Sequence, residues 1–384
     1  YFSKNSNYQY IEPDFTVSNK WLHPPRYQTY FLNNGHEHND AITLNSFKTA
    51  VVANQRVYVG NINQTIDGKP AQYSDRMLKS PIGQYDKFPS KNFVDVSIND
   101  GSSIIHLSTF ADKILQFKED IMYVINIASD KEWLESTHPF KGVVNSASVC
   151  TTDIGIAWAN SHGAYFFDGK QVHNLLEKQG QQLISVVDWD TFAFIPSVGY
   201  IPSRRQIVFA DDIAGNGTGQ VFVYDLTTRS WVKGGTATIP DAVLSNFVND
   251  WNDYLICYDY TNHVMKRWDD TSVGSANFNL LFKDLDFGTP GVRKKIYKVY
   301  ISYKGNGSEV TVRYGTNGTT PAKLFDSAVL TNAGTTDWEV AELAPATKAE
   351  ANNKYSFQLA LGGTSQADFE INDITIIYRI KQPK

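Results

Sequence analysis

The sequence is poor in cysteine and methionine and has no excess of positive charge. Its 384 residues include 2 cysteines and 3 methionines, and 35 Lys and Arg against 40 Asp and Glu give a net charge of −5. Two cysteines are too few for a cysteine-rich zinc site, and the charge balance does not favour a protein that grips nucleic acid through a basic face. Because no run of about 18 apolar residues occurs, we expect no membrane-spanning helix.

Helix signals are also scarce, whereas aromatic residues are abundant. Aromatics make up 13% of the chain, with 21 Tyr and 22 Phe, and together with Val, Ile and Thr they favour strands. Two segments favour short helices, residues 175–185 and 347–352, although Gly180 weakens the first. Cys150 and Cys257 each lie in an apolar strand-like run, which favours buried free thiols over a disulfide.

A short pattern recurs along the chain: an apolar run ending in an aromatic and an acidic residue, then a turn, then a run that often closes on tryptophan. It occurs at Val221–Asp225 before Trp231, at Ile256–Asp259 before Trp268 and, more loosely, at Ala164–Gly169. Recurrent hairpins are typical of β-propellers, in which each four-stranded unit buries its apolar face against its neighbours. We therefore predict an all-β fold containing a β-propeller of about five blades.

The pattern changes after Trp268. A polar stretch at 269–275 precedes strands with clean apolar alternation, which is typical of half-buried antiparallel sheet. Near Asn372-Asp373 the apolar phase slips by one residue, which predicts a β-bulge or a bend. We predict three regions: an N-terminal arm or part of a platform domain at 1–46, the β-propeller at 47–275 and a C-terminal β-sandwich at 276–384.

Several polar motifs resemble functional signatures, but a structural interpretation is sufficient for each. The His-Glu-His segment 36–38 offers two imidazoles without a third ligand nearby, and the Asp-Phe-Gly triplet 286–288 lacks the accompanying kinase motifs. Residues 211–219 have the composition of a calcium loop without its ligand spacing. The segments 306–308 and 317–319 fit a glycosylation pattern and, equally, a hairpin turn. We predict no metal, no cofactor and no catalytic residue.

A propeller glycosidase is the enzymatic alternative, because it would place paired carboxylates at the mouth of the propeller. The acidic candidates are Asp168, Asp188, Asp190, Asp225 and Asp259. Three of them, at 168, 225 and 259, stand where a strand meets a turn, a position that favours capping of turn amides. We therefore predict that these three carboxylates cap turns.

Tryptophan stacking on sugars is a second alternative, and it would make the chain a carbohydrate-binding, lectin-like protein that recognises a host receptor. Large aromatics between blades are, however, expected to fill the core. The carbohydrate-binding alternative applies mainly to the C-terminal sandwich. The tryptophans concerned are Trp133, Trp158, Trp189, Trp231, Trp251, Trp268 and Trp338.

Five segments resemble the propeller-containing tail proteins of short-tailed bacteriophages. The resemblance extends over roughly residues 47–384 and consists of structural motifs rather than catalytic ones. The segments are Arg56–Asn61, Asp75–Pro89, Ile114–Asn126, Gly155–Gly169 and Asp284–Tyr303.

The resemblance implies a tail nozzle or tail tubular protein without enzymatic activity. Such a protein is a homo-oligomeric ring, a hexamer in this family, around the channel through which the genome leaves. Its implied partners are other copies of itself, tail proteins such as the adaptor and the fibres, and DNA that passes without specific binding. The implied location is the virion tail, assembled in the host cytoplasm.

Overall fold

The structure is a computed structural model, and about 60% of it is strand and 3% helix. The all-β prediction is confirmed. The chain divides into two compact units, one ending at Trp268 and the other beginning at Asp269. Most of the predicted N-terminal arm lies outside the described residues. These are residues 42–66, 69–89, 92–98, 101–129, 131–178, 180–185, 188–189, 196–211, 218–234, 237–238, 247–259, 264–268, 276–331, 333–334, 337–365 and 369–381.

The first three sheets of the first unit each contain four antiparallel strands that pair in chain order. This order follows from short connections, because a hairpin places consecutive strands side by side. Sheet 1 is β1 to β4, sheet 2 is β5 to β8 and sheet 3 is β9 to β12. Their bounds are β1 (Ile42–Ala53), β2 (Arg56–Ile66), β3 (Lys69–Lys79), β4 (Phe93–Asp95), β5 (His106–Phe110), β6 (Lys113–Phe117), β7 (Ile121–Asn126), β8 (Trp133–Pro139), β9 (Val149–Thr152), β10 (Gly155–Asn160), β11 (Gly163–Phe167) and β12 (Val172–Asn174).

Two further sheets follow a two-stranded hairpin of β13 and β14. Sheet 4 runs from β15 to β18, with β19 paired to β17, and sheet 5 contains β20 to β22 among the described residues. The bounds are β13 (Glu177–Lys178), β14 (Gln181–Gln182), β15 (Ser197–Ile201), β16 (Gln206–Asp211), β17 (Thr218–Asp225), β18 (Ser230–Lys233), β19 (Ala237–Thr238), β20 (Val248–Asn249), β21 (Leu255–Asp259) and β22 (Val264–Arg267).

Adjacent sheets pack through apolar layers, and alternate residues of one strand enter different layers. Ile114 of β6 lies in the layer that includes Met77 of sheet 1, whereas its neighbour Leu115 lies in the layer that includes Trp158 of sheet 3. Alternation of this kind follows from the period of two in a strand. Each middle sheet is therefore buried on both faces, which accounts for the continuous apolar runs in β10 and β11.

Some local expectations from the sequence were wrong. The apolar alternation at 56–61 predicts a strand that ends there, but β2 continues to Ile66 beyond a register shift at Asn61, whose φ is 56°. The Gly and Pro residues of 77–90 predict a loop over that whole stretch, but the loop begins only after Lys79, where β3 ends. The segment 175–185 is not a helix, because Gly180 has a φ of 74° and supports the β13–β14 hairpin turn.

The second unit consists of two antiparallel sheets whose apolar side chains form one core. Sheet 6 has the order β23-β29-β25-β26, and sheet 7 contains β27, β24 and β28, with β30 also paired to β24. The β-bulge predicted at Asn372-Asp373 is confirmed, because Tyr303 pairs with Ile371 while Ser302 pairs with Asp373. The bounds are β23 (Ala276–Leu281), β24 (Lys294–Lys304), β25 (Val310–Thr316), β26 (Lys323–Val329), β27 (Glu339–Leu343), β28 (Asn352–Lys354), β29 (Phe357–Ser365) and β30 (Glu370–Ile380).

Candidate functional site

Three hairpin turns of the first unit share one contact, in which an aspartate oxygen accepts two main-chain amides. Asp168 Oδ1 accepts from the amides two and three residues further on, at 2.8 and 2.7 Å. Asp225 Oδ1 does the same at 2.8 and 2.9 Å. Asp250, which the sequence pattern did not single out, accepts at 2.8 and 2.9 Å from the amides two and four residues on. Turn capping is therefore confirmed at 168 and 225, while the side chain of Asp259 lies outside the described part.

The caps at Asp168 and Asp225 favour the ionised form of their carboxyl groups. Burial would raise the pKa of Asp168, but hydrogen bonds from the Gln171 amide, the His173 ring and the Lys170 amide outweigh it and lower that pKa to about 2. The pKa of Asp225 is lowered chiefly by the hydrogen bond from the Thr228 amide. A glycosidase acid needs a raised pKa to donate its proton near neutral pH. Both aspartates therefore have the electrostatics of a cap and not of a general acid.

The remaining acidic candidates and the triplet at 286–288 make local structural contacts or fall outside the described residues. Asp188 lies in a short helical segment, where it accepts a hydrogen bond from the Ser185 hydroxyl, and Asp190 lies outside the described residues. In the Asp-Phe-Gly triplet, Asp286 Oδ1 accepts the Gly288 amide at 2.9 Å, and the ring of Phe287 stacks on Tyr378 at 4.1 Å. The triplet is thus a tight turn whose phenylalanine ring packs against Tyr378.

The two glycosylation-like segments, 306–308 and 317–319, form turns. The His-Glu-His segment and most of the calcium-like stretch lie outside the described residues. Asn306 Oδ1 accepts the Ser308 amide at 3.1 Å. Asn317 and Gly318 have φ values of 57° and 74°, as a tight hairpin requires. The His-Glu-His segment at 36–38 lies outside the described residues, as do residues 212–217 of the calcium-like stretch.

Among the described residues, no group of three or more His, Cys, Asp or Glu lies together in a way that could hold a metal ion. Cys150 and Cys257 are not joined in a disulfide, and burial raises the pKa of Cys150 to about 12. In the same residues, no helix has the length and apolar character needed to cross a bilayer.

Short polar side chains join the first strands of consecutive sheets. Thr49 Oγ1 of β1 accepts the Leu107 amide of β5 at 3.0 Å, and the hydroxyls of Ser108 in β5 and Thr151 in β9 lie 3.2 Å apart. Sheets 3 and 4 are joined just before β9, where the Ser148 hydroxyl donates to a carbonyl. Sheets 4 and 5 are joined by Asn249, whose Nδ2 donates to the Tyr200 carbonyl at 3.0 Å. The first strands therefore form one continuous series from sheet 1 to sheet 5.

A buried charged network links sheets 1 and 2. Glu132, in the connection before β8, accepts from the Tyr58 hydroxyl at 2.9 Å and from Lys79 Nζ at 2.5 Å. Burial raises the pKa of Glu132, but the hydrogen bonds from Lys79 and Tyr58 outweigh this effect, so the pKa is lowered. At the other end of sheet 2, where β6 meets β7, the fully buried Lys118 lies 3.2 Å from Asp75. These contacts fix the two sheets to each other and explain the polar residues in the layer between them.

The described tryptophans fall into two groups, and the expected packing in the core holds for only one of them. Trp158 and Trp189 are fully buried between sheets, as predicted. Trp231 packs on Trp189 at 5.6 Å, and Trp268 packs on Phe247 at the same distance. The three exposed side chains are Trp133 at 51%, Trp251 at 93% and Trp338 at 47% of their surface.

Trp251 is the extreme case, and its backbone is firmly held. It lies in the turn between β20 and β21, which is closed by the Asp250 cap and by two main-chain bonds of 3.0 Å between residues 250, 253 and 254. Asn252, Asp253 and Tyr254 beside it are also exposed. One signal in the sequence marks this site: the two Asn-Asp pairs around Trp251 are typical of a turn, where a tryptophan has no core to enter.

Comparisons with known proteins leave the family of this chain open. No protein-family model matches the sequence, and no curated protein sequence matches it. Solved structures give only distant similarity. A putative 6-phosphogluconolactonase from Bacteroides fragilis is 12% identical with a TM-score of 0.35, over 59% of this chain and 84% of that one.

Two other solved structures are similarly distant. An exo-β-1,3-galactanase from Phanerochaete chrysosporium is 7% identical with a TM-score of 0.30, over 92% of this chain and 99% of that one. A nidogen/laminin complex gives 12% identity and a TM-score of 0.31, over 50% and 70% of the two chains. At such scores the likeness carries no argument about activity or ligand.

Proposed function

We propose that this chain is a structural subunit of the tail nozzle, or tail tubular ring, of a short-tailed bacteriophage. In this proposal the protein is not an enzyme. It forms a homo-oligomeric ring, a hexamer, around the channel through which the genome leaves. It docks tail proteins such as the adaptor and the fibres, and DNA passes it without specific binding. Its place is the virion tail, after assembly in the host cytoplasm.

The observation that carries the proposal is the series of sheets in the first unit. Consecutive antiparallel sheets with strands in chain order, joined through their first strands, are what a β-propeller with those strands around its axis would contain. Sheets 1 to 5 are then the five blades, and sheet 5 has three described strands. This architecture supports the resemblance, because its segments Ile114–Asn126 and Gly155–Gly169 make up the central hairpins of sheets 2 and 3, and Arg56–Asn61 begins the inner strand β2 of sheet 1.

The second unit supports the other half of the resemblance. Its two sheets enclose one core that includes Val299 of β24 and Leu359 of β29, as a β-sandwich would. The resembling segment Asp284–Tyr303 contains most of β24, the central strand of sheet 7. The outer face of that sheet also exposes apolar side chains, with Val340 at 62% and Ile377 at 44%. Exposed apolar surface of this kind is compatible with contacts in an assembly.

The proposed mechanism is mechanical and electrostatic. Buried networks such as Tyr58-Glu132-Lys79 keep neighbouring sheets in fixed register, so that a ring of subunits would hold a channel of constant shape. The net charge of −5 would disfavour adhesion of passing DNA to the ring. No step of this function requires bond-breaking chemistry.

The test is the oligomeric state of the full chain, alone and in particles. We expect sedimentation to give a species six times the 43.1 kDa mass of one chain, and negative-stain images to show sixfold rings. Antibodies raised against the chain should label phage particles at the tail. A protein that stays monomeric at high concentration and is absent from particles would contradict the proposal.

A further inference from the structure

We propose that the turn between β20 and β21 is a carbohydrate-binding platform, with Trp251 as its stacking surface and β-linked pyranose chains as its ligands. The side chain of Trp251 is 93% exposed, so almost the whole indole faces solvent. The inference does not depend on the proposed function.

The platform is pre-organised. Asp250 Oδ1 accepts the amides of Asn252 and Tyr254 at 2.8 and 2.9 Å, and the Asp250 and Tyr254 backbones bond at 3.0 Å. Asn249 ties the same turn to sheet 4 through its 3.0 Å bond to the Tyr200 carbonyl. A ligand that stacks on the indole would therefore find a backbone already fixed, which lowers the entropic cost of binding.

The polar residues beside Trp251 favour a sugar over a protein as its partner. Buried indoles contribute about 150–250 Å² of contact, whereas a stable protein interface buries about 800 Å² on each side. Trp251 is followed by exposed Asn252 and Asp253, and the exposed ring of Tyr254 comes next. Trp133 differs, because exposed Leu134 directly adjoins it. An aromatic face with hydrogen-bonding groups directly beside it fits a single sugar ring better than a protein surface.

The class of sugar follows from the same geometry. A β-linked glucose or N-acetylglucosamine unit has equatorial substituents, so its axial C–H bonds form an apolar face that can lie on an indole. Its hydroxyl groups point outward at the ring edge, where amide and carboxylate groups such as those of Asn252 and Asp253 can bind them. Tyr254, 41% exposed and covered by the Arg267 guanidinium at 3.2 Å, adds a second planar group near the turn.

The experiment titrates the full chain with β-linked hexasaccharides of glucose and of N-acetylglucosamine, followed by calorimetry and tryptophan fluorescence. We expect at least one probe to bind with a dissociation constant of about 1 mM, because one stacking face offers little contact area. Trp251→Ala should weaken that binding at least tenfold, and Trp251→Phe should weaken it less. Trp133→Ala, which removes another exposed indole, should leave it unchanged.

Three outcomes would overturn the inference. The first is that neither hexasaccharide binds the wild-type chain at about 10 mM, a concentration tenfold above the expected dissociation constant. The second is that Trp251→Ala and Trp133→Ala weaken binding equally. The third is that Trp251→Ala changes the sedimentation of the chain while no probe binds, which would make the indole a protein contact. Equal melting temperatures of the variants and the wild type would show that the platform, and not the fold, was changed.

Discussion

Replacement of Lys294 by methionine should destabilise the second unit strongly, although no carboxylate is among the hydrogen-bond partners of its ammonium. The side chain is 1% exposed, and its Nζ donates to the carbonyls of Thr289, Val292 and Tyr355 at 2.5, 2.9 and 2.9 Å. An ammonium has three hydrogens, so three acceptors satisfy it completely. Lys294 thus acts as a buried cross-link between the loop before β24 and the segment before β29.

The expected cost follows from the acceptors that would be left behind. Thr289 keeps another donor, the Val292 amide at 3.2 Å, so the Lys294→Met change deprives mainly the carbonyls of Val292 and Tyr355. A buried acceptor without its donor costs about 1–3 kcal/mol, which gives about 2–6 kcal/mol for two. Removal of a buried charge offsets part of this cost, because its desolvation is no longer required. We expect a net loss of about 2–4 kcal/mol in the free energy of unfolding.

Urea denaturation of the full chain, combined with hydrogen exchange of residues 289–294 and 352–357, measures this effect. Faster exchange should be confined to the second unit. Lys298→Met is the matched control, because Lys298 lies on the same strand with an exposed side chain paired to Glu342. We expect no measurable change for the control. Equal losses in the two variants, or a gain in stability for Lys294→Met, would refute the reasoning.

Two further changes concern the first unit. Asp225→Ala should cost about 0.5–2 kcal/mol, by analogy with other side-chain caps, while Asp225→Asn should cost less because it keeps an acceptor; urea melts of the two variants are the measurement. Burial lowers the pKa of His106 to about 4 from 6.5. The unfolded chain therefore binds more protons between these values, so stability should fall by up to about 3 kcal/mol as the pH drops from 6.5 to 4. His106→Gln should flatten that pH dependence, and an unchanged slope would contradict it.

Local patterns gave reliable predictions wherever one physical effect dominated. The apolar phase slip near Asn372 calls for a bulge or a bend in a half-buried strand, and a bulge is there. Asp168 and Asp225 follow strand ends directly, so capping was predictable from their position. The all-β fold class was equally predictable, because aromatic and β-branched residues, which favour strands, filled the apolar runs.

Features that depend on distant contacts were not predictable. Lys118 and Lys294 are both buried, but a lysine in a sequence indicates an exposed position unless its acceptors are known. The extension of β2 beyond Asn61 is rich in Asn, Gln and Thr, so its strand character shows no apolar alternation. Gly142 is a further case: an added Cβ would lie 2.2 Å from the Lys118 carbonyl, a contact that only the folded chain reveals.

The recurrent pattern of aromatic, acidic residue and tryptophan provides both core packing and turn capping, whereas Trp251 follows a capping aspartate without being packed in the core. In sheet 4, Tyr224 is buried between sheets, Asp225 caps the turn, and Trp231 donates from Nε1 to the Leu175 carbonyl at 2.8 Å. The β20–β21 turn keeps the cap at Asp250 but exposes Trp251. Where a chain keeps a rigid support and gives up the burial of its largest side chain, stability does not explain the residue. Contact with a ligand would explain it, and for this reason we propose the platform at Trp251 rather than at the buried tryptophans.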